Sequence, residues 1–305
     1  MAMELLKPAD QNYLEAALMK QMDGLIDRAV SPYQSFTKVV RGSTLVLSDA
    51  LIDVAFPFAE FTGMAKRVVP QTADFSVTAA TYQGGYTITD KQLKYDKIGI
   101  LQRAVAELMP SKIESLQLFI ESQIFGLFAT IQSDTSFLDG VAMAATTHTW
   151  PAGEYTTSQG NLLTTAFSAS QLGVVEESAL KFKDAWQRPL GVGPFTTLVH
   201  DYDIAADVAD VLDVTTVSTG GDNRYRGKYN PICNRWSTGT KEWYLLRGQP
   251  LGLYMPDTTQ NCGIGNPSVE ISRNNDAKLY NVDVVIDMKS FWVGDWWNVL
   301  ANVVT

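Results

Sequence analysis

The order of patterns along the chain predicts an α+β fold rather than an alternating α/β one. Strand-like segments come first, one long helical pattern follows, then a mixed region, then strands again to the end. No internal repeat and no break in composition separates two clean domains. Charged residues make up 19% of the 305 and seven tryptophans are present, whereas an average soluble domain carries about 25% charge. A long chain with so little charge predicts surface hidden against other subunits.

The charge balance excludes a general polyanion-binding protein. Lys and Arg number 24 against 33 Asp and Glu, a net charge of −9 with two histidines, and phosphate contacts need an excess of cations. Hydrophobic residues at 46% exclude a disordered chain. Cys233 and Cys262 are too few for a disulfide scaffold or, alone, a zinc site, and they suit a reducing compartment. No stretch approaches the roughly 20 apolar residues of a membrane span. The first twenty residues, with early Glu4 and Asp10, lack the apolar core of a signal peptide.

Taken in order, Leu14, Leu18, Met22 and Leu25 fall at helical spacing before the Ser31-Pro32 break, and Phe36–Leu47 is strand-like. An amphipathic segment at this terminus docks on its own core or crosses to a neighbour, and the pattern fits both. Residues 58–90 predict a long hairpin: Phe61–Val69 outward, a turn over Pro70–Asp74, and a return strand through Phe75, Val77, Ala79, Tyr82, Tyr86 and Ile88. The apolar phase moves from odd to even near Ala80-Thr81, which predicts a bulge or bend. A two-stranded hairpin is marginal in water by itself, so it joins a larger sheet or packs on another subunit.

Apolar residues from Leu101 to Ile131 keep spacings of three and four, predicting a spine helix over about residues 98–132. Pro110 interrupts it, and Ser111-Lys-Ile-Glu114 has the pattern of a capping box, so the helix either kinks at Pro110 or restarts at Ser111. Ser168-Ala-Ser-Gln171 opens a second helix with Leu172, Val175, Ala179, Phe182 and Trp186 inward, closed by Arg188-Pro189. Phe195–His200 is a short buried strand, and Asp201 caps a helix through about Leu212. Residues 214–240 read as a long polar loop. Strands return at 243–246, 251–255, 269–272, 282–288 and 290–293, with Trp292, Trp296 and Trp297 clustered near the end.

Catalytic signatures are missing: no phosphate-binding glycine loop, nucleophile elbow or metalloprotease motif occurs. His148 lies in a turn-like Thr-Thr-His-Thr-Trp-Pro context that predicts a hydrogen-bonded structural imidazole. His200 directly precedes Asp201-Tyr-Asp203, where helix capping explains the pattern as well as a metal would. Asp203, Asp207 and Asp210 share one helix face, read first as solvated and otherwise as facing a neighbour's basic patch or a divalent ion. Asn223–Tyr229 holds Arg224, Arg226 and Lys228 among tyrosines, a basic-aromatic cluster that suits an interface better than a nucleic acid in so acidic a chain. No cofactor, metal or catalytic residue is predicted.

Four stretches together resemble the tailed-phage major capsid proteins, in particular the Mu-like major head subunits with the Hong Kong 97-like fold. They are Tyr82-Gln-Gly-Gly-Tyr-Thr-Ile-Thr-Asp90 running through to Gly99 and the long helix; Thr146-Thr-His-Thr-Trp150 followed by Asn161-Leu162; Trp186-Gln-Arg-Pro-Leu-Gly-Val-Gly-Pro194 with the strand to His200; and Ser290-Phe-Trp-Val-Gly-Asp-Trp296. Their order and spacing over residues 58–300 carry the likeness. The sequence departs from the family at Pro110, which interrupts the spine. It also shows no large amino-terminal scaffolding segment before residue 1, implying a separate scaffold or a processed start.

The resemblance implies an N-terminal arm and lead-in strand over 1–57 and an extended hairpin (E-loop) over 58–90. It implies a peripheral domain with the spine helix over 91–145 plus 266–305, and an axial domain over 146–265. The protein would assemble with itself into hexameric and pentameric capsomers of an icosahedral shell. Scaffold, portal and decoration proteins would be further partners, and double-stranded DNA would be held by confinement, which suits a negatively charged shell. Phe61, Lys66, Arg67, Phe75, Tyr82, Arg224, Arg226 and Lys228 would make inter-subunit contacts. The expected location is the virion, with assembly in the host cytoplasm, and there would be no membrane partner. An encapsulin-type compartment of the same fold is the alternative, followed by another phage structural component and by an unrelated oligomeric enzyme relying on His200.

Overall fold

The computed structural model describes residues 25–53, 71–89, 109–134, 141–148, 159–184, 187–214, 223–237, 239–259, 266–274, 279–293 and 295–303. The chain enters as a short helix, α1 (Leu25–Val30), and a 3-10 turn. Ile26, Ala29 and Val30 are buried, and Phe36 is sealed among Tyr33, Phe125 and Phe128. From Leu25 to Phe36 this segment therefore docks on its own core; Leu14, Leu18 and Met22 lie outside the described residues.

Strand β1 (Thr37–Gly42) runs parallel to β9 (Leu251–Pro256). The next strand, β2 (Val46–Asp53), pairs antiparallel with β3 (Gln71–Thr78), from Val46 opposite Thr78 to Asp53 opposite Gln71. This corrects the hairpin read from sequence. The outgoing strand is 46–53, and Gln71–Asp74 are extended rather than turning. Phe75 and Val77 favour a pleated strand. The expected strand 61–69 lies outside the described residues.

The predicted bend is present at Ala79, whose N–H donates to the Leu45 carbonyl at 2.9 Å. Beyond it β4 (Ala80–Thr89) leaves the hairpin and pairs with β11 (Leu279–Trp292) across ten positions. Val77 and Ala79 are buried before the bend, and Tyr82 is half-buried after it. The fourteen residues of β11 form one strand where two were expected. Its partners change along its length, β10 (Ser268–Asn274) and β4 first, then β9 at Lys289–Trp292.

A second sheet has the order β5 (Leu162–Leu163), β12 (Val299–Asn302), β8 (Trp243–Leu246), β6 (Thr197–Asp201), β7 (Asn230–Asn234). Every residue of β6, β8 and β12 is buried. The stretch read as a polar loop thus contributes an edge strand, Asn230–Asn234, held in register by the apolar β6 beside it. Sheet membership crosses the sequence boundaries at 145 and 266: β9 sits with β11, and β12 sits with β8.

The spine helix α2 is described over Met109–Ala129, about 31 Å at 1.5 Å per residue. It contains Pro110 and Ser111, so Ser111 does not open it. Ile120, Ile124, Phe125, Leu127 and Phe128 turn inward, and Ile131 follows. Helix α3 (Ala169–Leu180) is capped as expected, with Ser168 Oγ accepting from the Gln171 N–H at 3.2 Å. It ends at Leu180, before Arg188-Pro189. Helix α4 (Ala205–Leu212) follows a 3-10 turn, Tyr202–Ile204. One apolar core joins α1, α2, α3, α4 and both sheets.

Candidate inter-subunit contact surface

The hairpin root is braced on the spine. Tyr82 stands edge-on to Phe119 with ring centroids 4.7 Å apart, and its hydroxyl lies 3.5 Å from Gln123 Oε1. An open cleft of about 410 Å³ lies where β3, the end of α2 and the end of β11 meet, lined by Val77, Thr130, Ser290 and Trp292 among others. Phe75 lies in β3 opposite Asp49. Phe61, Lys66 and Arg67 lie outside the described residues.

The basic turn is tied down rather than loose. Asn223 Nδ2 donates to the Val211 and Val214 carbonyls at 2.6 and 2.8 Å, closing the end of α4, and its Oδ1 receives the Tyr225 N–H. Lys228 pairs with Glu176 of α3 at 2.5 Å and lies over the Tyr225 and Tyr229 rings. Burial, followed by the Glu176 carboxylate on its hydroxyl, pushes the Tyr229 phenol far above its usual range. Arg224 lies over the Tyr225 ring and donates to its hydroxyl, which raises the guanidinium's affinity for its proton. A Cβ on Gly173 would strike that guanidinium, so the glycine in α3 makes room for it. Arg226 is exposed. The turn thus presents Arg224 and Arg226 outward, while Lys228 is already matched by Glu176.

Asp203, Asp207 and Asp210 are all exposed on the α4 side, which fits both a solvated face and one that meets a neighbour. Asp201 does something other than cap: its Oδ2 accepts from Thr240 Oγ1 at 3.2 Å and the Glu242 N–H at 3.0 Å, tying the 240–242 segment to β6. Asp201 is fully buried, with Oδ2 engaged by the Thr240 hydroxyl and the Glu242 N–H, while Oδ1 has no hydrogen-bond partner among the described residues. His200 Nδ1 lies 2.8 Å from the Asp201 carbonyl, and burial lowers the imidazole's pKa below its usual value. Among the described residues no three metal-ligating side chains converge, and no helix is long and apolar enough to cross a membrane.

His148 is fully buried and structural. Its ring stacks on Trp296, and Nε2 meets Asn161 Oδ1 at 3.1 Å. Asn161 lies in one of the four stretches that carry the resemblance, which gives it no role. Its Nδ2 reaches the carbonyls of Met143, Trp296 and Val299, and its Oδ1 receives the Ala145 N–H. A second join that the sequence gave no sign of is Arg235 on Glu121 of α2, with one guanidinium nitrogen 2.9 and 3.1 Å from the two carboxylate oxygens.

Residues 72–292 match a family model described as phage capsid protein. None of the curated protein sequences matches the chain. Among solved structures, the bacteriophage JBD30 capsid aligns with a TM-score of 0.55 at 12% identity, covering 67% of this chain and 90% of that one. The mature capsid of bacteriophage PhiM1 aligns with 0.56 at 8% identity, covering 90% and 86%. The SrpI encapsulin of Synechococcus elongatus PCC 7942 aligns with 0.52 at 12% identity, covering 90% and 86%. The architecture is therefore the Hong Kong 97-like shell-protein fold, α+β with a spine helix and a projecting hairpin. The chain belongs to the phage capsid protein family, as a major capsid protein of the tailed-phage kind. Its role is structural, in the shell of the virion.

Proposed function

We propose that copies of this chain close into hexamers and pentamers of an icosahedral shell that encloses double-stranded DNA. The family match over residues 72–292 carries this reading, because it spans the return strand of the hairpin, the spine helix and strands of both sheets. The hairpin β2–β3 then lies over an adjacent subunit, and the arm within 1–57 runs along neighbours before its last residues join the core. Residues 91–145 with 266–305 make the peripheral domain and 146–265 the axial one, with β9 and β12 crossing that division. Phe61, Lys66, Arg67 and Phe75 on the hairpin, and Arg224, Arg226 and Lys228 on the basic turn, meet neighbouring copies; half-buried Tyr82 braces the hairpin root.

The protein does this without catalysis or a cofactor. Scaffold, portal and decoration proteins are its further partners, and assembly takes place in the host cytoplasm. The acidic balance, −9 overall, keeps packaged DNA from sticking to the wall. Likeness to an encapsulin supports the alternative of a protein-filled compartment, and the contents of purified particles separate the two: DNA supports the capsid reading, a co-purified cargo enzyme the other.

Negative-stain electron microscopy with light-scattering mass, on the protein alone and in phage context, tests the proposal. Closed shells, or capsomers of roughly 200 kDa from six 33.6 kDa chains, are expected. A well-behaved monomer or dimer with no particles in either setting overturns it.

A further inference from the structure

One edge of the sheet containing β6 and β7 carries a set of side chains without a polar partner among the described residues. Tyr202 and Trp236 leave the same end of the paired strands β6 and β7, just beyond Asp201 opposite Asn234. They are 51% and 47% exposed, among the most exposed large hydrophobic residues described. Asp203, Asp207 and Asp210 extend from that corner along α4 at spacings of four and three, without a hydrogen-bond or ion-pair partner among the described residues. Such neighbours repel one another. The helix dipole rewards Asp207 near the start of α4 but disfavours Asp210 in its last turn, so the helix itself does not account for the set.

Two exposed rings beside a row of carboxylates form a surface suited to guanidinium groups, which bind carboxylates through a planar fork and stack on aromatic faces. A primary amine would use only the first of these. The same chain presents a matching pair. Arg226 is exposed with no side-chain partner among the described residues, and Arg224 is held by the ring and the neutral hydroxyl of Tyr225, with Glu176 and Glu177 further off. Asn223 anchors this turn to the end of α4, so it is presented in a fixed orientation.

We propose that the Tyr202–Trp236 corner and the acidic face of α4 receive Arg226 and Arg224 of the adjacent copy. This is a head-to-tail contact, and repeated by rotation it closes a ring. The inference rests on the capsid reading and names the partner surface for the basic turn. Arginine at the centre of such a contact, flanked by Tyr and Trp, has the composition of an energetic hot spot.

The test is a charge swap read by sedimentation and light scattering of the full chain at low and at 0.5 M salt (roughly a fourfold shorter screening length than at 0.03 M). Arg226→Glu, and separately Asp207→Lys with Asp210→Lys, should each lower the yield of assembled particles about tenfold or more. Their combination should restore it to within about threefold of the parent. All three positions are exposed, so thermal unfolding of the unassembled variants should match the parent. Arg226→Gln and Asp207→Asn serve if a reversal fails to fold, with a smaller loss expected in the same direction. Normal assembly of Arg226→Glu, or no rescue in the combined variant, overturns this inference while leaving the capsid reading intact. A parent chain that forms no particles, either alone or in phage context, overturns the capsid reading itself.

Discussion

His148 lies flat on Trp296, their ring centroids 4.4 Å apart and their planes parallel to within 1°. The stack joins the turn after α2 to the last turn before β12. Asn161 completes the joint, spreading its carboxamide across three backbone carbonyls and one N–H. Replacing Asn161 with Ala strands those groups in a dry interior, at about 1–3 kcal/mol for an unsatisfied group. Asn161→Ala is expected to lose about 3 kcal/mol or more of stability, measured by urea unfolding of the unassembled chain, whereas Asn161→Asp keeps the acceptor and loses the donors. A loss under about 1 kcal/mol for Asn161→Ala would remove Asn161 from its place as the joint.

The Glu121–Arg235 pair ties the middle of the spine to the loop after β7. Glu121 is nearly buried while Arg235 is 67% exposed, so solvent screens the attraction. A double-mutant cycle with Glu121→Gln and Arg235→Met is expected to give a coupling of about 0.5–1 kcal/mol that shrinks in salt. No coupling at low salt would mean that the spine and the sheet containing β7 are joined by apolar packing alone.

Two glycines should respond in opposite directions. Gly126 sits in the exposed face of α2 with nothing within 4 Å of where a Cβ would lie. Gly126→Ala is expected to stabilise the unassembled subunit by about 0.5–1 kcal/mol, from helix propensity alone. A Cβ on Gly160 would press on the backbone carbonyl of Thr146, closer than 3.0 Å, so Gly160→Ala is expected to destabilise it. Differential scanning calorimetry reads both signs in one series.

Acid should weaken the fold partly through His200. Burial holds its pKa below 6.5 in the folded chain, so the unfolded chain binds the proton more readily. Its stabilising contribution is complete above about pH 6.5 and is lost as the pH falls through the lower folded value. His200→Gln should therefore show a smaller drop in melting temperature between pH 7.5 and 5 than the parent. An identical drop in both would assign the acid sensitivity to carboxylates.

How much of this was legible varies element by element. The Ser168 cap was readable because it needs only local groups in local order. The phase change near Ala79 was readable because alternation reports which face is buried. The pairing of β3 was not, since Phe61–Val69 and Val46–Asp53 are both plausible partners by composition, and pairing is settled by register and closure. Asn230–Asn234 looked like loop because it holds two asparagines and a proline, with only Asn234 of the three buried on this edge strand; only its neighbour β6 reveals it. Of the contact residues named from sequence, Tyr82 proves to be packed on Phe119 of its own chain. Arg226 does stand outward.

By itself the sequence determined the α+β class, the inward stripe of the spine helix, the structural part played by His148 and the likeness to phage capsid subunits. Each follows from patterns repeated over a few residues or from the order of motifs. Tertiary structure alone decided that β11 serves three neighbours, that β12 returns beside β8 rather than β10, and that Asn161 and Glu121 meet groups more than a hundred residues away. Those choices depend on which distant surfaces exclude water together. That is a property of the closed core and leaves no local periodicity in the chain.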